Sequence, residues 1–532
     1  MAGWILQRNR RQAPIRQVLS ARAPYFRPGF WHNHRYLMLA IIGITGLTYG
    51  FFFGLGTTYL LVQLSVPLVI MAIIVILLLP DTGRGYVGTL EWLLFAFLIA
   101  LLSWPDYLAI AIPGMPWITI QRLTTVPLAT VFLLGLSQSA QLRAEVKEIL
   151  ATIPALWKLL AVFTVLALFS IAFSETKTVT ANKFAVAMLA WVLIFFVSCY
   201  IFTKPGRVVK LAYLVWALAI FVSLIGIQEA RHEALPWAAH IPSFLKVDER
   251  TLTLILSSKA RAATGVYRVQ SKFTTPLGLA EFLAFSAPFI LHIMMNAKRI
   301  WHRLAAASTL PLLIYVILKT DSRLGMVGIF LAILFYALAW GALRWKRDKT
   351  SLFGPAVVLG YPIVFVSFIL GTFFIGRLRA LVWGTGAQQA STDGRKEQLA
   401  ESIPLIIKQP WGYGLARAAE TLGYGDSGDG NLTIDSYYLS MVLDLGFAGF
   451  IVYFAIFYLA IWQGGKHVIH HYDEDTSYIV PLVICLAVFV VIKLVLSQQE
   501  NHPFIFLVLG AIVAMIYLIK KNMQQPATLP SI

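Results

Sequence analysis

The chain has 532 residues, of which 58% are hydrophobic and 13% are charged, and its mean hydropathy is +0.74. Charged residues make up about a quarter of a soluble domain, so this composition excludes the soluble classes and indicates a polytopic membrane protein. The formal charge of +18 needs no nucleic acid partner, because membrane proteins retain Lys and Arg on the cytoplasmic side. The two cysteines, Cys199 and Cys485, lie in apolar runs, which excludes a disulfide framework and a cysteine metal site.

Apolar runs of membrane length predict an all-α transmembrane bundle of about 14 spans, with short interfacial helices in its two long outer loops. The basic segment 1-36 is followed by a run without a small-residue cleavage site, so we expect an uncleaved anchor with a cytoplasmic N-terminus. Alternation along the chain then predicts a cytoplasmic C-terminus. The spans are expected at 37-53, 59-79, 88-106, 123-139, 155-173, 184-202, 208-227, 276-295, 304-318, 324-340, 353-375, 437-462, 478-496 and 503-519.

The distribution of Lys and Arg supports this orientation. Cytoplasmic segments would carry 24 of these residues and outer segments 18, of which 13 lie in the long loops 228-275 and 376-436. The short outer turns are therefore poor in cations, as the positive-inside rule requires. Because the outer segments have a net charge of only +3, function there must depend on a few placed side chains.

The first long outer loop ends with three cations, Arg261, Arg268 and Lys272, just before a span that begins at Pro276. Guanidinium groups bind phosphate in a bidentate manner and would suit an anionic lipid headgroup, although ordinary solvated charges fit equally well. Glu281 follows inside the span. An intramembrane carboxylate is a functional candidate, but it can equally form an ion pair with Lys493, and both interpretations stay open.

A short outer turn precedes the tenth span and holds Arg323 in the first turn of that helix. Either Asp321 or Ser322 can cap the helix. A cation at a helix N-terminus opposes the helix dipole, which favours a ligand-binding role for Arg323 over a purely structural one.

The second long loop carries Arg395 and Arg417. Residues 398-407 predict a short interfacial helix that ends before Pro410. Asp435 closes the loop at the start of the twelfth span, where it can cap the helix or accept a proton from a sugar hydroxyl.

The same span predicts two further features. Gly446 and Gly449 would allow close helix contact, and the buried Asp444 requires a polar partner.

Three separated motifs resemble the O-antigen ligase and O-antigen polymerase family of bacterial membrane glycosyltransferases. They are Ser322-Arg323-Leu324-Gly325, then Gly394-Arg395 followed by an amphipathic helix and Pro410 to Gly414, and finally Asp435-Ser436 with Gly446 and Gly449. Together they cover roughly residues 305-465. The ligase signature has His at the first position of the last motif, whereas this chain has Asp435, and that difference favours a polymerase.

The resemblance implies an enzyme of the bacterial inner membrane that polymerises glycan units carried on undecaprenyl pyrophosphate. Asp435, Arg323 and Glu281 are the candidate catalytic residues, and the candidate substrate-binding residues are Arg268, Arg395, Arg417, Lys272 and Arg261. We expect no metal and no cofactor, because fixed guanidinium groups can neutralise the phosphate charge. The expected partners are the carrier-linked glycan, membrane lipid and, as a candidate, a chain-length regulator protein, with no nucleic acid.

Two alternative functions stay open: an O-antigen ligase that transfers glycan to a lipid or protein acceptor, and a flippase for the same lipid-linked glycan. On this interpretation the chain has four parts. They are a cytoplasmic segment 1-36, an N-terminal membrane part 37-302 with loop 228-275, a ligase- or polymerase-like region 303-465 with loop 376-436, and C-terminal spans with a short tail, 466-532.

Overall fold

The computed structural model describes residues 71-76, 78-83, 85-110, 118-247, 267-374, 389-423, 434-470, 473-495 and 499-524, with a few single positions besides. The predicted span 37-53, most of the span 59-79, and Arg261 lie outside the described residues. The chain divides into one compact unit of Met1–Leu78 with Ile112–Pro116 and a larger unit of Leu79–Ala111 with Trp117–Ile532. The elements below belong to the larger unit.

Within the described residues, 11 helices are long and apolar enough to cross a membrane, and α1 (Val87–Ser103) is a shorter apolar helix. These 12 helices coincide with the 12 predicted spans from residue 88 onward, which confirms an all-α polytopic bundle. They are α1, α2 (Ile120–Gln138), α4 (Pro154–Phe173), α5 (Lys177–Ile201), α6 (Arg207–His232), α7 (Pro276–Asn296), α8 (Ile300–Lys319), α9 (Arg323–Arg347), α10 (Phe353–Phe374), α13 (Tyr437–Val468), Glu474–Lys493, which comprises α14 (Glu474–Ser477) and α15 (Ile479–Lys493), and α16 (His502–Gln524).

Shorter elements connect these spans. Two amphipathic helices, α3 (Ala140–Ala151) and α11 (Gln389–Lys408), and the four-residue α12 (Ala418–Thr421) lie between them. Helix α11 ends at Lys408, before Pro410, as the sequence predicts, but it begins nine residues earlier than expected. The described residues also contain three short antiparallel strands in the order β2-β1-β3, namely β1 (Leu108–Ile110), β2 (Ile118–Thr119) and β3 (Lys246–Val247).

The core of the bundle is formed by α7, α15 and α16. In the most apolar stretch of α7 and of α16, 89% of the residues are buried, whereas in that of α10 only 6% are, so α10 is peripheral. Helix α9 packs closely on α7 because it presents glycines to it: a Cβ on Gly325 would lie 2.8 Å from Cβ of Ala280, and one on Gly328 would lie 2.7 Å from Cβ of Ala284. The glycine of the Ser-Arg-Leu-Gly motif therefore has a packing role.

Candidate functional site

The end of the first long loop crosses the turn between α8 and α9. The backbone N–H of Val269 donates to the carbonyl of Lys319 at 3.1 Å, and Nε of Arg268 donates to the carbonyl of Thr320 at 2.9 Å. Arg323 begins α9 only three residues after that carbonyl, and both arginines are half-buried. We call Arg268, Thr320 and Arg323 the arginine crossing. Arg268 and Arg323, two candidate site residues from different loops of the sequence, thus both lie at the turn between α8 and α9.

A buried carboxylate in α6 holds the crossing loop in place. Glu229 is fully buried and accepts hydrogen bonds from the backbone N–H groups of Gln270 and Ser271, the shortest at 2.6 Å. It also accepts from the hydroxyl of Tyr267 at 2.9 Å. Burial and the neighbouring Glu229 carboxylate raise the pKa of Tyr267, which therefore stays protonated and donates. Sequence reasoning missed Glu229 because it lies two residues beyond the predicted span 208-227, whereas the helix continues to His232.

We expect Glu229→Gln to loosen the loop that carries Arg268. The amide nitrogen would face backbone N–H donors, and an unsatisfied buried group costs about 1–3 kcal/mol. Hydrogen exchange of residues 267-272 measures the change, and the exposed Glu233→Gln at the end of the same helix is the control. Unchanged exchange in Glu229→Gln would show that the carboxylate does not position the loop.

The second long loop forms an ion pair with the start of α13. Nε of Arg395 donates to Oδ2 of Asp435 at 3.0 Å, and both side chains are 31% exposed, so a ligand can reach the pair. Asp435 does not cap α13. The N-cap is Ser436, whose hydroxyl accepts from the backbone N–H of Leu439, so that prediction was wrong by one residue. The cap of α9 is Ser322, one of the two predicted candidates.

The loop from Pro410 to Ala418 packs against a break in α13 at Gly446. This glycine has φ 68° and ψ −179°, and a Cβ on it would overlap the carbonyl oxygen of Pro410. A Cβ on Gly412 would lie 2.5 Å from the carbonyl oxygen of Asp444. The predicted close contact of Gly446 with another helix was wrong, because the partner is this loop.

Asp444 has backbone partners, as a buried carboxylate requires. It is fully buried and accepts from the N–H groups of Ala416, Arg417 and Ala418 at 2.7 to 2.8 Å. Arg417 is 7% exposed and its guanidinium pairs with Glu420. Asp444 therefore fixes the Arg417 segment in the way that Glu229 fixes the Arg268 segment.

Lys272 is not a surface cation. It is 1% exposed, and its ammonium donates to the carbonyl of Leu101 at 2.8 Å and lies 3.4 Å from Oε1 of Glu500. Burial raises the pKa of Glu500 above its ordinary value, and the nearby Lys272 ammonium opposes that rise. The prediction that Lys272 binds a lipid headgroup at the surface does not fit this buried position.

Glu281 forms a buried ion pair with Lys493. The two charged atoms are 2.6 Å apart and both side chains are 0% exposed. Oε2 of Glu281 also accepts from the amide of Asn501 at 2.9 Å. Of the two interpretations of Glu281, the structure supports the ion pair, and we therefore do not assign it a contact with substrate.

We expect Glu281→Gln alone to destabilise the protein strongly, because it leaves the Lys493 ammonium buried without its counter-ion. Breaking one partner of a buried pair costs about 3–5 kcal/mol, whereas replacing both by apolar residues is often neutral. Melting of purified Glu281→Leu/Lys493→Met should therefore recover most of the loss. Glu474→Gln, which breaks the exposed pair with Lys298, is the control with little expected change. If the double variant melted below Glu281→Gln, the pairing account would fail.

The arginine crossing and the Arg395–Asp435 pair lie at the same end of the bundle. Close packing of Gly325 on Ala280 joins the start of α9 to α7, and Ala280 is followed directly by Glu281, the partner of Lys493. The ammonium of Lys493 is 5.5 Å from the ring centroid of Tyr437, the first residue of α13. We call this the site end. It contains guanidinium groups able to hold phosphate, and the partly exposed carboxylate of Asp435, which can accept a proton.

Comparison with known proteins identifies one family. Residues 308–454 match the family model described as O-Antigen ligase. The match includes Arg323, Arg395, Arg417 and Asp435 and leaves out Arg268. A search of the curated proteins gives no match.

The matched residues cover a continuous part of the fold that includes most of the candidate site. It begins within α8 and ends within α13, so it spans the turn that starts α9, the second long loop and the break at Gly446. With the apolar helices, it supports a multi-pass membrane protein with a glycosyl-transfer role in polysaccharide processing. Residues 308–454 therefore resemble the O-antigen ligase family, and this matched stretch contains two of the three arginines of the site end, Arg323 and Arg395.

Proposed function

We propose that this protein polymerises glycan repeat units carried on undecaprenyl pyrophosphate, at the extracytoplasmic face of the bacterial inner membrane. The observation that carries the proposal is the gathering of Arg268, Arg323 and the Arg395–Asp435 pair at one end of a bundle that contains the O-antigen ligase domain. The positive-inside distribution of Lys and Arg supports assigning that end to the outer face, with both termini cytoplasmic.

The arginines would hold the leaving group. When a sugar hydroxyl attacks the anomeric carbon of the donor, the bond to the pyrophosphate oxygen breaks and negative charge develops on that oxygen. Arg268 and Arg323 can stabilise this charge as fixed bidentate donors, which is how preorganised groups lower a barrier. The carbonyl of Thr320 holds the Arg268 guanidinium, and Arg323 is the first residue of α9, so both arginines belong to the same turn.

Asp435 would handle the proton. The attacking hydroxyl loses its proton as the new glycosidic bond forms, and Asp435 is a partly exposed carboxylate in contact with Arg395. Arg395 orients that carboxylate through the contact to Oδ2. Arg417 is more buried and paired with Glu420, so we assign it the role of holding the loop.

A ligase that transfers finished glycan to another acceptor is the second candidate, because the matching family model is described as O-Antigen ligase. The position of Asp435, where the ligase signature has His, favours the polymerase.

Carrier-linked glycans of a deletion strain distinguish these functions. We expect single repeat units to remain on the carrier at the outer face, which is the result for a polymerase. Long polymer accumulating on the carrier would instead indicate a ligase. Units confined to the cytoplasmic leaflet would indicate a flippase and would contradict the proposal.

A further inference from the structure

A polar cavity lies at the opposite end of the bundle from the arginine crossing. It has a volume of about 270 Å³ and lies between the ends of α7, α9 and α15. Small-ligand sites range from about 300 to 1,000 Å³, so this cavity is near the lower end of that range, a size that suits a small headgroup and not a glycan chain. It shares no residue with the candidate transfer site.

The floor of the cavity is a fixed hydrogen-bond network around His292. This histidine is 4% exposed, and its ring nitrogens lie 3.1 Å from Oγ of Ser477 and 3.2 Å from the hydroxyl of Tyr336. Asn296 donates to the same Tyr336 hydroxyl at 3.0 Å. These contacts join three helices, so the cavity has a preformed polar floor.

The rim of the cavity is cationic. Arg344 and Arg347 both line it, and Asp348 is the one carboxylate among the described lining residues. Asp348 accepts hydrogen bonds from the backbone and hydroxyl of Thr350, and its charge also attracts that of Arg344. The guanidinium of Arg344 lies 5.7 Å from the ring centroid of Trp340, which limits its motion. Two arginines therefore line a cavity that has an aromatic wall.

We propose that this cavity binds the phosphate headgroup of an anionic phospholipid. Guanidinium groups match phosphate in a bidentate manner, and the apolar lining of Trp340, Leu343 and Val480 suits the glycerol and first methylene groups. Basic pockets between helices on the cytoplasmic side of a membrane are places where anionic headgroups bind. The assignment to that leaflet depends on the proposed orientation, but the binding does not depend on glycosyl transfer.

Binding of phosphatidylglycerol to the purified full-length protein, measured by native mass spectrometry, tests the proposal. Loss of one charge-assisted bond corresponds to roughly a tenfold change in affinity, so we expect Arg344→Gln/Arg347→Gln to weaken binding at least about tenfold. Arg299→Gln/Lys349→Gln removes the same charge from the same end without altering the cavity lining, and it should bind nearly as wild type. Phosphatidylcholine should bind weakly to all three proteins.

Leu343→Trp keeps both arginines and fills the cavity, and we expect it to lower phosphatidylglycerol binding as well. Glycerol 3-phosphate tests whether the phosphate comes from a lipid or from a soluble compound. If the protein bound glycerol 3-phosphate strongly and did not bind phosphatidylglycerol, the site would be one for a soluble phosphate compound and the proposal would be wrong. If Arg344→Gln/Arg347→Gln and Arg299→Gln/Lys349→Gln lost the same amount of phosphatidylglycerol binding, the binding would depend on the general surface charge. That result would overturn the proposal. Binding is measured without donor glycan, so a failed polymerase assay would leave this result unaffected.

Discussion

Arg323→Ala is expected to lower polymer formation by about 100- to 1,000-fold, the effect of removing one preorganised donor from a transition state. Arg323 begins α9 beside the Arg268 to Thr320 contact, so a shortened side chain leaves the developing pyrophosphate charge without that donor. Arg323→Lys should recover only part of the activity, because an ammonium keeps the charge and loses the planar fork. Polymer yield and length in complemented deletion cells measure the change.

Lys319→Ala is the matched control for Arg323→Ala. Lys319 is an exposed cation of the same turn, and its backbone carbonyl, which accepts from Val269, is retained in the variant. We expect near-normal polymer from it. Wild-type polymer from Arg323→Ala at equal protein abundance would remove Arg323 from the site.

Gly446→Ala is expected to prevent accumulation of folded protein. The φ and ψ of Gly446 fall in a region that is essentially confined to glycine, where other residues cost about 1–3 kcal/mol. The added methyl group would also overlap the carbonyl oxygen of Pro410, so the loop would have to move away from α13. Fluorescence-detected size-exclusion chromatography and melting of the detergent-solubilised protein measure the loss.

Gly465→Ala in the same helix is the control for Gly446→Ala. Gly465 is exposed and nothing lies within 4 Å of a Cβ there, so alanine should stabilise the helix by about 0.5–1 kcal/mol. A Gly446→Ala protein that melted as the wild type would contradict the described packing of the loop on α13.

The spans were predictable because length and hydropathy alone decide whether a helix can cross a membrane. The 12 predicted spans from residue 88 onward each have a helix in the structure. The Glu281 to Lys493 pair was one of two open interpretations, since an intramembrane charge requires a counter-ion but sequence does not show which one.

The features that could not be predicted from the sequence depend on contacts between loop residues and residues far away in the chain. Lys272 resembles a surface cation in sequence, and its burial depends on Glu500, which is 228 residues away in the chain. Asp435 and Ser436 are both good caps by residue type; in the structure Ser436 accepts the cap hydrogen bond from Leu439, and Asp435 pairs with Arg395, 40 residues earlier in the chain. The support of Arg268 depends on Glu229, whose backbone partners lie 41 and 42 residues further on.

Reconstitution of the purified protein with a synthetic undecaprenyl-pyrophosphate-linked repeat unit tests the central claim most directly. We expect a ladder of glycans that differ by one repeat unit, release of undecaprenyl pyrophosphate with each addition, and loss of both in Arg323→Ala and Asp435→Ala. Intact donor after incubation with folded wild-type protein, or an undiminished ladder from the two variants, would contradict a polymerase with its site at the arginine crossing and the Arg395–Asp435 pair.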